Sequence, residues 1–208
     1  MTDNKKVVEI IKVMAEIIHE NAQFLTDLDA PIGDNDHGIN MDRGFQKVLE
    51  DLPGVENSDI GAILKKTGMD LVSTVGGSSG PLYGTAFMKA GAAVAGKNEI
   101  DADDFIDIMD AAVGGVQLRG KAEKGEKTML DAMIPAVEAI KKGVDAGKTP
   151  AEFLADGVEA AKEGVEYTKT IIATKGRASY VGERSIGHQD PGATSFTLLL
   201  ESIAALYN

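Results

Sequence analysis

VVEIIKVMAEIIHE, residues 7–20, sets Val7, Ile10, Ile11, Met14, Ile17 and Ile18 three and four positions apart. That spacing lines one face of an α-helix and would scatter apolar side chains over both faces of a strand. The same period returns along the chain. Met41, Phe45, Val48, Leu49 and Leu52 mark a second helix, stopped by Pro53-Gly54. Ile60, Ile63, Leu64, Leu71 and Val72 mark a third, over about residues 58–75. A fourth, about 79–96, is rich in Gly and Ala. A fifth runs from the Asp101–Asp104 cluster to Leu118, its acidic residues suited to the positive end of a helix dipole. A sixth passes from Thr128 through Met129, Met133, Val137 and Ile140 to near Gly147. Thr149-Pro150 and Asp190-Pro191 each read as a cap followed by proline at the first helical position. They open a seventh helix, about 150–174, and an eighth at the end of the chain. No segment alternates convincingly with period two, and no repeat, low-complexity tract or linker interrupts the pattern. The expectation is an all-α single domain, residues 1–208, with functional loops between eight helices.

Composition agrees. A chain of 208 residues suits one domain and can bury roughly 70% of its unfolded surface. Hydrophobic residues make up 43%, with few aromatics and no Trp, so Ala, Gly and Met supply much of the apolar content. Closely approaching helices want such small side chains, whereas a β-sandwich wants more Val, Tyr, Phe and Trp. The absence of cysteine excludes disulfides, thiolate metal sites and thiol nucleophiles, and fits a reducing cytoplasm. No charge-free stretch of about 20 residues occurs, and the N-terminus lacks an apolar leader core, so neither membrane insertion nor export is expected. A formal charge of −12 without a basic stripe argues against nucleic acid.

Three segments interrupt the helical pattern with chemistry. In LDAPIGDNDHGINMDRG, residues 28–44, Asp29, Asp34 and Asp36 stand together with Gly33, Gly38 and His37. Any one of these aspartates suits a cap or turn. Three within eight residues, beside glycines that permit tight backbone geometry, favour a metal site. Oxygen ligands select a hard ion. An EF-hand fails on register, because counting from Asp34 puts Gly38 fifth and Phe45 where the twelfth-position Glu belongs. Mg2+ is therefore favoured over Ca2+, and Mg2+ commonly shares its shell with phosphates.

VGGSSGPLYG, residues 75–84, offers Gly76, Gly77, Ser78, Ser79 and Gly80 at a helix start, an arrangement suited to an anion. Gly76, Gly80 and Gly84, spaced by four, equally suit close helix packing, and both readings stand. GKAEKGEKT, residues 120–128, is not a P-loop: Glu126 separates Gly125 from Lys127, and a helix precedes it instead of a strand. Its lysines 121, 124 and 127 read either as a flexible cationic loop or as a solvated connection. GRASYVGERSIGHQDPGATS, residues 176–195, gathers Arg177, Arg184, His188 and Asp190 before the last helix. There Arg177 could grip phosphate oxygens bidentately. His19, on an amphipathic helix, reads as structural, and His37 as the better ligand contact. Three carboxylates facing an ATP sum to about −7, which two Mg2+ would reduce to about −3. More than one metal is therefore favoured.

GDNDHGINMDRG, GGSSGPLYGTAF and GRASYVGERSIGHQDPGATS together closely resemble the nucleotide-binding L subunits of dihydroxyacetone kinases, in matching loop order over essentially the whole chain. The resemblance implies an eight-helix antiparallel up-and-down barrel with the nucleotide at one end. It implies that Asp29, Asp34 and Asp36 hold two Mg2+ ions bridging the phosphates. It places His37, Gly38, Ile39, Asn40, Ser78, Ser79, Thr85, Gly120, Met129, Arg177, Asp190, Pro191 and Gly192 at nucleotide contacts. One branch of the family fuses this domain behind a substrate domain and consumes ATP. In the other it is a separate subunit retaining ADP, which a phosphohistidine on an M subunit rephosphorylates. The ATP so formed phosphorylates dihydroxyacetone held on a K subunit, and the phosphate derives from phosphoenolpyruvate. A chain running from Met1 to just past its last predicted helix resembles the second branch. The rivals are an ATP-consuming kinase of dihydroxyacetone or fatty-acid type, a nucleotide-state regulator of a transcription factor, and an all-α calcium-binding or scaffold protein.

Overall fold

The structure, a computed structural model, describes residues 1–207. Among them are nine α-helices and two two-residue strands. Strand β1 (Thr2–Asp3) leads into α1 (Asn4–Glu20), whose start is capped by Asp3 accepting from the Lys6 amide at 2.8 Å. The apolar stripe of α1 buries Val7, Ile11, Met14 and Ile18. At Asn21 the helix breaks, and the Asn21 side chain donates to the Ile17 carbonyl at 2.8 Å. The chain restarts at once as α2 (Ala22–Asp29). This helix is the correction to the eight expected. Eight residues are too few to display a period, and the fully buried Leu25 is its main apolar anchor.

Helix α3 (His37–Asp51) runs into a 3-10 turn (Leu52–Gly54), where Pro53 ends it. Helix α4 (Ile60–Thr74) is capped by Asp59, which accepts from Ala62 and, across a loop, from Gly96, both at 3.0 Å. Helix α5 (Ser79–Ala93) ends before the expected residue 96, and the chain then forms β2 (Glu99–Ile100). Strand β2 pairs antiparallel with β1, Thr2 opposite Ile100, a ladder too short to show alternation. Helix α6 (Ala102–Gly120) opens on a capping box of Asp101 and Asp104. Helix α7 (Leu130–Asp145) and α8 (Pro150–Thr168) follow. The capping box of Thr149 and Glu152 starts α8, which ends six residues short of the expected 174. A 3-10 segment (Arg177–Ser185), kinked at Gly182, precedes α9 (Pro191–Ala205), capped by Asp190.

Helix α1 packs on α3 and α9, and from α3 onward each helix packs on its successor up to α9. Eight helices therefore close a ring, as expected, and α2 sits against α3 and α9 as an addition to it. The seam between α4 and α5 brings two backbones close together. A Cβ on Gly68 would lie 2.6 Å from the Gly84 carbonyl, and one on Gly91 2.5 Å from that of Gly61. Successive helices alternate in direction, so α3, α5, α7 and α9 all begin at the same end of the ring. His37, Ser79, Leu130 and Pro191, their first residues, line one cavity.

Candidate nucleotide and metal site

The cavity at that end holds about 470 Å3. Four helix N-termini open into it, each bringing the positive end of a dipole, a setting suited to an anion. Four carboxylates (Asp29, Asp34, Asp36, Asp190) and four cationic side chains (Arg119, Lys127, Lys175, Arg177) line it.

Asp29 is the last residue of α2 and organises the acidic loop. Its backbone carbonyl accepts from Gly33 at 2.6 Å, and its Oδ2 accepts from the amides of Asp36 at 3.0 Å and His37 at 3.4 Å. A Cβ on Gly33 would fall 1.8 Å from Asp29 Oδ1, so a larger residue there would displace the Asp29 carboxylate. Asn35 turns the chain in the left-handed region (φ 61°), which Asn tolerates. The result brings one carboxylate oxygen from each of Asp29, Asp34 and Asp36 within 4.8 Å of one another. Burial raises the Asp34 carboxyl, the neighbouring Asp36 adds to that, and Arg177, whose Nε lies 2.8 Å from Asp34 Oδ2, opposes it. The pair is substantially exposed, so it is weak and exchangeable. Crowded oxygen donors whose charge is only partly compensated fit a hard divalent cation in kind and spacing.

His37, first residue of α3, is buried. Its Nδ1 meets Ser79 Oγ at 3.0 Å and its Nε2 meets Ser195 Oγ at 2.9 Å, with Tyr83 OH 2.7 Å from the same Ser195 oxygen. Burial lowers its pKa to about 4 against the pull of Asp29 and Asp36, so the ring is neutral at pH 7 and donates through one nitrogen only. Burial likewise pushes the Tyr83 phenol up. A hydrogen-bonded chain thus fixes Ser79 at the start of α5.

The glycine segment divides between its two readings. Gly76, Gly77 (φ 64°), Ser78 and Ser79 line the cavity. Gly80 and Gly84 serve packing, their Cβ positions meeting the Val75 carbonyl at 2.3 Å and the Val72 side chain at 2.2 Å. Gly120, Met129, Arg177, Asp190, Pro191 and Gly192 also face the cavity. Four of the residues implied by resemblance do not. Gly38 is pressed against α2, where a Cβ would lie 1.8 Å from the Ala22 carbonyl, and Ile39 is 55% exposed outside the cavity. Asn40 stands behind Gly76 and accepts from Arg43 at 2.5 Å. Thr85 lies further along α5, donating to the Pro81 carbonyl at 2.6 Å.

Sequence reasoning passed over Arg119, Lys175, Leu82 and Tyr83, and left Lys127 either in a flexible cationic loop or in a solvated connection. The structure buries Lys127 to 1% exposure, with Nζ donating to the carbonyls of Thr168 and His188. Arg119 alone carried a signal, as a cation at a helix C-terminus; the others depend on tertiary folding.

The sequence matches the DAK2 domain family over residues 31–205. The chain belongs to that family. This DAK2 domain is 43% identical over 199 residues to the PEP-dependent dihydroxyacetone kinase, ADP-binding subunit DhaL, of Escherichia coli K12, covering 96% of this chain and 95% of the relative. It is 46% identical over 188 residues to the ADP-binding subunit DhaL of PEP-dependent dihydroxyacetone kinase 1 of Listeria innocua, covering 90% and 89%. The fold of the DAK2 domain superposes on the crystal structure of the dihydroxyacetone kinase of C. freundii in its native form, with a TM-score of 0.75 at 23% identity, over 96% of this chain and 34% of that one. Among the described residues, no helix of the DAK2 domain is long and apolar enough to cross a membrane.

Proposed function

We propose that residues 1–208 form one nucleotide-binding domain that serves as the ADP-carrying L subunit of a phosphoenolpyruvate-dependent dihydroxyacetone kinase. One observation carries this reading: three converging carboxylates stand at a cavity into which four helix N-termini open. The near full-length likeness to ADP-binding subunits of such kinases supports it. ADP is the resident cofactor. A phosphoryl group enters from a phosphohistidine on an M subunit and leaves to dihydroxyacetone held on a K subunit, with ATP present only between the two transfers and ADP regenerated. The setting is the cytoplasm.

Asp29, Asp34 and Asp36 would hold two Mg2+ ions, which when bound neutralise phosphate charge and fix its orientation. The protein's own contribution is positioning. Ser78 and Ser79 and the start of α5 receive phosphate oxygens, Ser79 being oriented by neutral His37. Arg177, which lines the cavity beside Asp34, would offer its guanidinium to phosphate oxygens. Gly120, Met129 and the Asp190–Gly192 turn bound the rest of the nucleotide.

The test begins with purified protein, desalted exhaustively in Mg2+, denatured with acid and analysed for released nucleotide by chromatography. ADP near one per chain is expected. A site that arrives empty and binds ATP reversibly would indicate an ATP-consuming kinase domain instead, and no nucleotide binding at all would overturn the proposal.

A further inference from the structure

The loop GEKT, residues 125–128, has no part in the function above, yet its lysine is among the most deeply buried side chains of the molecule. Lys127 adopts φ 60°, a left-handed conformation that costs a long side chain energy and that a solvated turn would fill with Gly or Asn. Fully buried Asp131 imposes it, accepting from the Gly125 amide at 2.5 Å and the Thr128 amide at 2.9 Å, so the loop is held on both sides of Lys127. The side chain is thereby sent inward. Its ammonium donates to Thr168 O, on the last turn of α8, and to His188 O, in the segment leading to α9. Thr168 binds that segment a second time, its Oγ1 accepting from the Asp190 amide at 3.0 Å, and Lys169 O accepts from Gly187 at 2.8 Å. Carboxylates facing the ammonium are Asp190 and Asp131.

A buried ammonium satisfied chiefly by backbone carbonyls is costly, and here its hydrogen bonds tie the end of α8 to the segment leading to α9. We propose that Lys127 is a positioning residue of the nucleotide cavity, an internal staple joining the end of α8 to residues 188–190 so that the Asp190–Gly192 turn and the N-terminus of α9 face the bound nucleotide. Its effect on nucleotide rests on the functional reading above; the staple itself does not.

The experiment compares nucleotide-stripped wild type with Lys127→Met and Lys127→Ala, by calorimetric titration with Mg2+–ADP and by amide hydrogen exchange over residues 187–193. Lys66→Met is the control, breaking an ion pair with Asp51 and Asp70 away from the cavity. Both Lys127 variants are expected to bind Mg2+–ADP about 30-fold more weakly or worse, with faster exchange at 187–193. Lys66→Met should keep wild-type affinity at a comparable loss of melting temperature. Because Lys127 lines the cavity, the hole in Lys127→Ala opens onto it, and propylammonium should restore affinity where neutral propanol does not. A merely space-filling lysine would show no such charge-selective rescue. If one Lys127 variant fails to fold, the other decides on the same readouts. Wild-type affinity together with unchanged exchange in a folded variant overturns the proposal. If wild type itself binds no Mg2+–ADP, the functional reading falls, and exchange at 187–193 alone then supports or overturns the staple.

Discussion

Asp34 is the carboxylate whose environment bears most directly on cation binding. It is pushed up by burial and by Asp36, and is countered only by an exposed Arg177. Asp34→Asn removes a donor and a source of repulsion at once. The expected outcome is loss of ADP retention in Mg2+, with helical circular dichroism intact and ligand-free melting within about 3 °C of wild type. Asp190 makes a pH prediction. Half-buried at the cavity wall, it is pushed up to about 7 by burial, against the Ala193 amide and Lys127. The unfolded chain releases this proton near pH 4, so between about pH 4 and 7 the folded state binds more protons and stability falls as pH rises. In Asp190→Asn, which can still cap α9, this part of the slope disappears. Melting of ligand-free variant and wild type across pH 4.5–8 should therefore diverge, the variant gaining relative to wild type as pH rises. The acidic cluster was readable because its members are neighbours in sequence. Lys127 was not, since its acceptors lie 41 and 61 residues away. Nor could spacing separate Ser79, which faces the cavity, from Asn40, which stands behind it.

At the scale of helices, long apolar stripes and capping residues announced themselves. Asp101 with Asp104 and Thr149 with Glu152 form the boxes that their sequence order implies. What escaped was short or irregular. Helix α2 has eight residues, β1 and β2 have two each, and residues 169–176 leave α8 without a proline to mark the exit. The glycines show why a motif must be divided by what each Cα touches. Gly77 serves the turn, whereas Gly68 and Gly84 let two backbones approach. Gly68→Ala would drive a methyl to 2.6 Å from a carbonyl that is part of a helix and cannot rotate away. A loss of about 2 kcal/mol or more follows, or roughly 4–8 °C in melting temperature. Nucleotide affinity of the folded fraction should be retained, because this seam lies outside the cavity lining.

For the whole molecule, charge and ligand act together. In a chain of formal charge −12 the three converging carboxylates have, among the described residues, only Arg177 paired directly against them, and a bound divalent cation would relieve their mutual repulsion. Stripping Mg2+ and nucleotide should lower the melting temperature, and readdition to 100 times the dissociation constant should recover about 2.7 kcal/mol. Neither ligand alone is expected to restore the full shift. Differential scanning calorimetry with each ligand singly and both together checks this.

Closing the helices into a ring has a consequence for chain order. Because α9 returns to α1, Thr2 and Tyr207 come together, their hydroxyls 2.6 Å apart. A cyclic sequence of helices has no privileged first member, so the covalent break between α9 and α1 is one choice among several compatible with the same contacts. Circular permutation exploits this: a short bridge between residues 207 and 2, with new termini opened at the exposed Gly147 turn between α7 and α8, would leave each helix between its present neighbours. The permuted chain would read in a different order and enclose the same cavity.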